Sequence, residues 1–371
     1  VCGAIGTGRF NQEVTIQPAD DLKDQPLGIE TRAAAVPGAE TLKPAVVERV
    51  MRTAAEKADA DHHRIPQFYL KRFRGKAGKL QVVDPSSGVA QLMLPKEAFA
   101  EEGYYTGRLG EEQEPLALVE VLYESIEVAA APAIRRLTKG ASPAELSLDE
   151  RGKIAEFLST QMTRGESFKR TTDDWIDEVS KTMLKMKAAH AGDMWPEFLK
   201  SLGEPEDLMT AGEFIESIDK DRFTVRPSAE QLLNLRLVAV EEMAAIFVQM
   251  SWHCARFDEP CLFTSEEPVT YWREPSPGSE FLGIGAATTD EVRIALSPRM
   301  ALVLVHPRWA FKDGQMKGTR EEAALLNFGN LIFRPGFPIV RSPDVDHHPL
   351  PRSMFRDSRF MPPFLGGPVI R

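Results

Sequence analysis

The sequence predicts an α+β fold, with a helix-rich centre flanked by small antiparallel β elements. Three observations predict it. Residues 79–94 hold two short apolar runs joined by Asp84-Pro85-Ser86-Ser87-Gly88, the turn chemistry of a hairpin. From 115 to 252, apolar residues recur at three- and four-residue spacing over lengths that strands do not reach. Beyond 261, short β-branched and aromatic runs return, separated by Pro, Gly and Ser.

Taken in order, residues 1–58 lack sustained periodicity and read as an extended arm or linker, of a kind that wraps a protein partner or a second subunit. Within it, 44–58 can form one helix with Val46, Val47, Val50 and Met51 on a face. Residues 59–335 form the globular part. Lys79–Gly88 reads as a strand entering a turn and Val89–Leu94 as its partner. Pro115–Leu137 keeps a stripe through Leu116, Val119, Leu122, Ile126 and Ile134, and Gly140 stops it. Ser147-Leu148-Asp149-Glu150 has capping-box spacing and opens a helix through Ile154, Phe157, Leu158 and Met162. Asp173–His190 is helical, and Pro196 and Pro205 interrupt the chain beyond it. Ser228–Trp252 is the longest apolar helix. Short strands are expected at 261–264, 269–272, 292–296 and 301–305, then a helix over 319–333. Residues 336–371 form a proline-rich tail packed on the surface, with seven prolines between 335 and 363.

Composition narrows the function classes. A chain of 371 residues with 43% hydrophobic and 27% charged residues buries a sizeable core. A net charge of −10 disfavours indiscriminate phosphate binding but leaves room for a local basic patch. Cys2, Cys254 and Cys261 build no disulfide framework and no CxxC, which suits a reducing, cytoplasmic setting. The most apolar stretch, 232–250, is interrupted by Arg236, Glu241 and Glu242, so no membrane span is expected. Gly283-Ile284-Gly285 lacks the third glycine of a dinucleotide loop, and neither H-E-x-x-H nor a Walker loop occurs.

One segment concentrates chemistry: Asp61-His62-His63-Arg64-Ile65-Pro66-Gln67-Phe68-Tyr69-Leu70-Lys71-Arg72-Phe73-Arg74. It resembles the opening motif of the bacterial DUF4238 family, approximately H-H-x-V/I-P-x-x-Y-L-x-x-F. The resemblance continues in order. Glu120–Glu127 is similar to the family's E-x-x-L-x-x-I-E helix. Gln161-Met162-Thr163-Arg164 resembles its Q-x-x-R, with Gly165-Glu166 where Thr-Pro is usual. Leu262–Val269 resembles F-x-T-S-D-x-P-V, with Glu266 in the Asp position, and Ile294–Pro298 matches a hydrophobic-x-L-S-P strand end. Membership implies a mixed fold with a helical centre and no assured activity.

The residues themselves suggest roles. Adjacent His62 and His63 point different ways on a regular backbone, so one of them can serve as general acid or base while the other binds backbone. Glu120 and Glu127 lie two helical turns apart, roughly 10 Å, on one face with Glu124 between them. With Glu266 they could hold a divalent metal such as Mg²⁺, or pair with Arg164, which shares a helix face with Gln161. Arg64, Tyr69, Lys71, Arg72 and Arg74 have the composition of a nucleic-acid-binding surface. Two function classes emerge. One is a hydrolase, specifically a nuclease, with His63, His62, Arg164, Gln161 and Glu127 at its catalytic site. The other is a non-catalytic interaction protein in which the same polar groups form a structural network.

Overall fold

Alternating and near-continuous apolar runs between 251 and 305 dictate strands buried on both faces, and the largest sheet is built from them. The computed structural model describes residues 15–18, 44–84, 87–104, 116–201, 203, 205, 207–274, 285–332 and 338–345. In chain order these contain β1 (Thr15–Pro18), α1 (Pro44–Glu56), β2 (Asp61–His63), α2 (Gln67–Leu70), β3 (Leu80–Val83), β4 (Ala90–Met93) and β5 (Ala100–Glu102). Next come α3 (Leu118–Thr138), α4 (Leu148–Thr163), α5 (Glu166–Ala191), α6 (Trp195–Ser201), α7 (Ala211–Asp219), β6 (Phe223–Arg226) and α8 (Ala229–Gln249). The last are β7 (Ser251–Arg256), β8 (Thr264–Ser265), β9 (Val269–Trp272), β10 (Glu291–Ser297), β11 (Met300–Val305), β12 (Gly314–Lys317), α9 (Arg320–Ile332) and β13 (Ile339–Arg341). The fold is α+β.

The chain divides into two compact units. One comprises 1–46, 107–114 and 166–235. Its own core is Leu184, Trp195, Leu199, Phe214, Ile218 and Phe223, and β1 pairs antiparallel with β6. A capping box, Thr210 with Glu213, opens α7. Lys181 is neutralised by Asp177 and Asp221 beside the ring of Phe223.

The other unit comprises 47–106, 115–165 and 236–371. Its five-stranded sheet has the order β12-β7-β11-β10-β9, antiparallel except for β12, which lies parallel to β7. A four-stranded sheet, β4-β3-β13-β8, and a β2-β5 pair complete it. Trp252, Ile294, Leu302, Leu304, Phe157, Ile134, Tyr69 and Phe73 share one core. The capping box of Ser147 and Glu150 and the hairpin of β3 and β4 form where the sequence places them. Helix α3 ends before Gly140, whose φ of +122° only glycine adopts readily.

Two expectations differ from the structure. The apolar pattern of 228–252 assigns Ser251 and Trp252 to a helix, but α8 stops at Gln249 and both residues open β7. Trp252 is wholly buried in either case, and a fully apolar run does not reveal its period. Residues 339–341 are not surface tail: Val340 is buried, paired with β3 on one side and β8 on the other. Residues 336, 337 and 346–371 of the tail, and residues 1–14 and 19–43 of the arm, lie outside the described residues, as does Gly283. Among the described residues, no helix is long and apolar enough to cross a membrane.

Candidate functional site

Pairing of β2 with β5 sends the two histidines to opposite sides, as a strand must. His62 turns inward, is completely buried, and bonds the Lys57 carbonyl through Nε2 at 2.8 Å. It is therefore an anchor for the β2 strand, which corrects its assignment as a catalytic group. His63 is half-buried. Its Nε2 lies 3.0 Å from the Lys96 carbonyl and 3.2 Å from the Gln67 amide. With its proton on Nε2 the ring donates to the Lys96 carbonyl; with its proton on Nδ1 it accepts instead from the Gln67 amide nitrogen. Nδ1 has no partner among the described residues.

Helix α3 sets Glu120, Tyr123 and Glu127 on one face at spacings of three and four. At the end of α4, Arg164 occupies the C-cap position. Its Nη1 donates to Glu127 Oε1 at 2.7 Å, its Nη2 donates to the His63 carbonyl at 2.6 Å, and its guanidinium lies 4.8 Å from the Tyr123 ring centre. Three distant stretches thus meet on one cation that is only 2% exposed. Burial raises the Glu127 carboxyl above its ordinary range, against the pull of Arg164. Burial likewise raises the Tyr123 phenol, opposed by Arg236 and Arg164. Tyr123 is the member of this cluster that the family motifs did not single out; its helical spacing from Glu120 and Glu127 is the signal that finds it.

Several other buried polar atoms of α3, α4 and α8 lack partners among the described residues. Both amide ends of Gln161, which is 1% exposed, make no hydrogen bond, nor do Glu120 Oε2 and Arg236 Nε. The Gln161 side chain therefore does not join the Arg164 bonds. Glu124 leaves the carboxylate stripe and pairs with Lys57 at the surface at 3.1 Å.

A second ion pair lies next in sequence. Arg64 Nη1 reaches Glu266 Oε1 at 2.7 Å, and the Arg64 guanidinium lies 5.6 Å from the Tyr104 ring centre. The neighbouring carboxylate, Glu267, is buried against Gly165, where an added Cβ would stand 2.5 Å from Glu267 Oε1. Gly165 therefore leaves the space that this carboxylate fills. Gly165→Ala is expected to lower stability by about 1–3 kcal/mol, measured by urea unfolding. Ser265 is fully buried and donates to the Glu267 carbonyl at 2.8 Å.

The metal expectation requires correction. Among the described residues, no group of three or more His, Cys, Asp or Glu could hold an ion. Glu127 is engaged by Arg164 and Glu266 by Arg64, so the carboxylates of Glu120, Glu127 and Glu266 are not gathered.

The basic-aromatic strip is also rearranged. Tyr69 is fully buried, donates to the Ala295 carbonyl at 2.6 Å and bonds Thr264 Oγ1 at 2.7 Å. Its ring packs against Phe73 and Phe157, so it offers no face to a base. The sequence cannot separate a stacking tyrosine from a core one, since both are aromatic between basic residues. Arg72 is half-buried and donates to Thr138 Oγ1 at 2.8 Å; burial, then Arg135, lowers its pKa. Lys71 and Arg74 remain exposed. Thr138 lies roughly 16 Å along α3 from Glu127, so the basic surface starts some distance from the Arg164 cluster.

A family model described as "Protein of unknown function (DUF4238)" matches residues 61–333. No curated protein and no solved structure matches the chain.

Proposed function

This chain belongs to the DUF4238 family, and from the geometry of its opening motif we propose that it is a phosphodiester hydrolase, a nuclease, with His63 as its general base. The observation that carries this reading is the state of His63. The ring is held through Nε2, and Nδ1 has no partner among the described residues; in the tautomer with Nε2 donating to the Lys96 carbonyl, Nδ1 holds the lone pair of a base. Nδ1 takes a proton from the attacking water as its oxygen bonds to phosphorus. The same proton is then available to the leaving oxygen as the P–O bond breaks. Arg64, 28% exposed and next to His63, meets the charge developing on the phosphoryl oxygens. Arg164 and Glu127 act by position: they hold the His63 carbonyl, and therefore the strand that aims the ring. Lys71 and Arg74 supply phosphate contacts further along a polymeric substrate. Among the described residues no group of side chains fits a metal site, and no step runs through one. The free thiols of Cys254 and Cys261 support a cytoplasmic location.

The test is incubation of the full chain with mixed RNA and DNA, in Mg²⁺ or in EDTA, beside His63→Gln. The expected result is cleavage that falls at least about a hundredfold in the variant while the unfolding midpoint stays unchanged. Absence of cleavage by the parent in both conditions would sink the reading.

One observation favours the second reading, a non-catalytic interaction protein. Arg164 is 2% exposed and both its terminal nitrogens are engaged, which is how a structural clamp is built. On that reading His63→Gln alters neither cleavage nor stability, and a nucleic acid or protein partner binds without being cut.

A further inference from the structure

The five-stranded sheet carries a second, separate anomaly. Registers across it align Thr270 of β9, Arg293 of β10, Val303 of β11 and His253 of β7 in one row, so their side chains share a face. Arg293 is 3% exposed. Its Nε donates to Glu291 Oε2 at 2.7 Å, and its guanidinium lies 5.2 Å from the Trp272 ring centre. Nη1 and Nη2, however, are both buried and make no hydrogen bond among the described residues. The Trp272 ring satisfies the flat face of a guanidinium and leaves the in-plane N–H groups unmet. Burying such donors without acceptors is costly, and native proteins rarely do so without a reason. Two strands away on the same face, His253 Nε2 is a second buried atom without a partner among the described residues. Helix α9 lies over the Thr270 end of the row, where Gly329 places no side chain: a Cβ there would stand 3.7 Å from Thr270 Oγ1.

We propose that this face beneath α9 is a binding site for a small oxyanion, held end-on by Nη1 and Nη2 of Arg293. Two parallel N–H donors on one planar group match the two oxygens of a carboxylate or two of a phosphate. Trp272 fixes the plane of the fork, and Glu291 holds it from behind through Nε. The Arg293–Glu291 pair is neutral as a whole, so Glu291 opposes the incoming negative charge and limits affinity. The ligand is a free metabolite-sized anion, because 3% exposure leaves no opening for a polymer.

The experiment is thermal unfolding of the full chain in about 10 mM sodium phosphate, acetate or sulfate, each against sodium chloride of equal ionic strength. Expected is a rise in midpoint of roughly 5 °C with one oxyanion. The phosphate and acetate arms separate the two ligand chemistries. Arg293→Lys, which keeps the charge and loses the fork, abolishes the rise. Glu291→Gln removes the opposing charge and strengthens binding about tenfold, a reading that remains informative if Arg293→Lys does not fold. No rise with any oxyanion, an equal rise in Arg293→Lys, or unchanged or weaker binding in Glu291→Gln would overturn the proposal.

Discussion

Arg164→Ala is expected to destabilise the protein by about 3 kcal/mol in urea unfolding near neutral pH. The variant leaves Glu127 without its cation and the His63 carbonyl without its donor, and strips the π face of Tyr123. The figure sits at the low end for a broken buried pair because Glu127 is 18% exposed and water can relieve it. Arg164→Lys recovers only part of the loss, since a single ammonium does not span Glu127 Oε1 and the His63 carbonyl as a guanidinium does. The loss should also depend on pH. Glu127 titrates above its ordinary value because burial penalises its charge, and Arg164 is the main opposing influence. Without Arg164 its folded-state pKa rises further. A raised carboxyl favours the folded state below the unfolded pKa, and that contribution is lost as pH rises through the folded pKa. The deficit of Arg164→Ala is therefore smallest under acid conditions and grows towards neutrality. A deficit independent of pH would show that Glu127 is not its source.

Tyr69→Ala is expected to cost about 3–5 kcal/mol, the range for removing a large buried ring. Tyr69→Phe isolates the hydroxyl and is expected to cost about 1–3 kcal/mol, because the Ala295 carbonyl and Thr264 Oγ1 lose a partner inside the core. These numbers decide between a core tyrosine and a stacking platform. A surface ring would change stability by under about 0.5 kcal/mol on truncation. In contrast, Lys71→Ala and Arg74→Ala touch exposed side chains and should leave unfolding unaltered while weakening any nucleic-acid affinity.

Much of the fold was legible because local rules suffice for it. The Ser147 cap, the Gly140 stop and the hairpin of β3 and β4 arise from side-chain and turn chemistry within a few residues. The opening motif, the Glu120–Glu127 helix and the Arg164 motif were likewise visible, as was the divergence of two adjacent histidines on a strand. The boundary of α8 and β7 was not, since Ser251 and Trp252 continue an apolar run whose period is hidden by burial on every side. The β13 strand was obscured by the prolines around it, and its pairing with β3 joins residues roughly 260 apart, which no local pattern encodes.

By itself the sequence determined the fold class, the family, and the short list of polar residues that could matter. Only the tertiary structure decided which partner each of them takes. It gave the carbonyl of His63, and not its imidazole, to Arg164, and turned Tyr69 into the core. It paired Glu266 with Arg64 and set Glu267 on Gly165. The physical reason is that residue type and spacing fix which groups share an element face, whereas the partner of a buried charge is chosen by whichever opposite group the packing brings within about 3 Å.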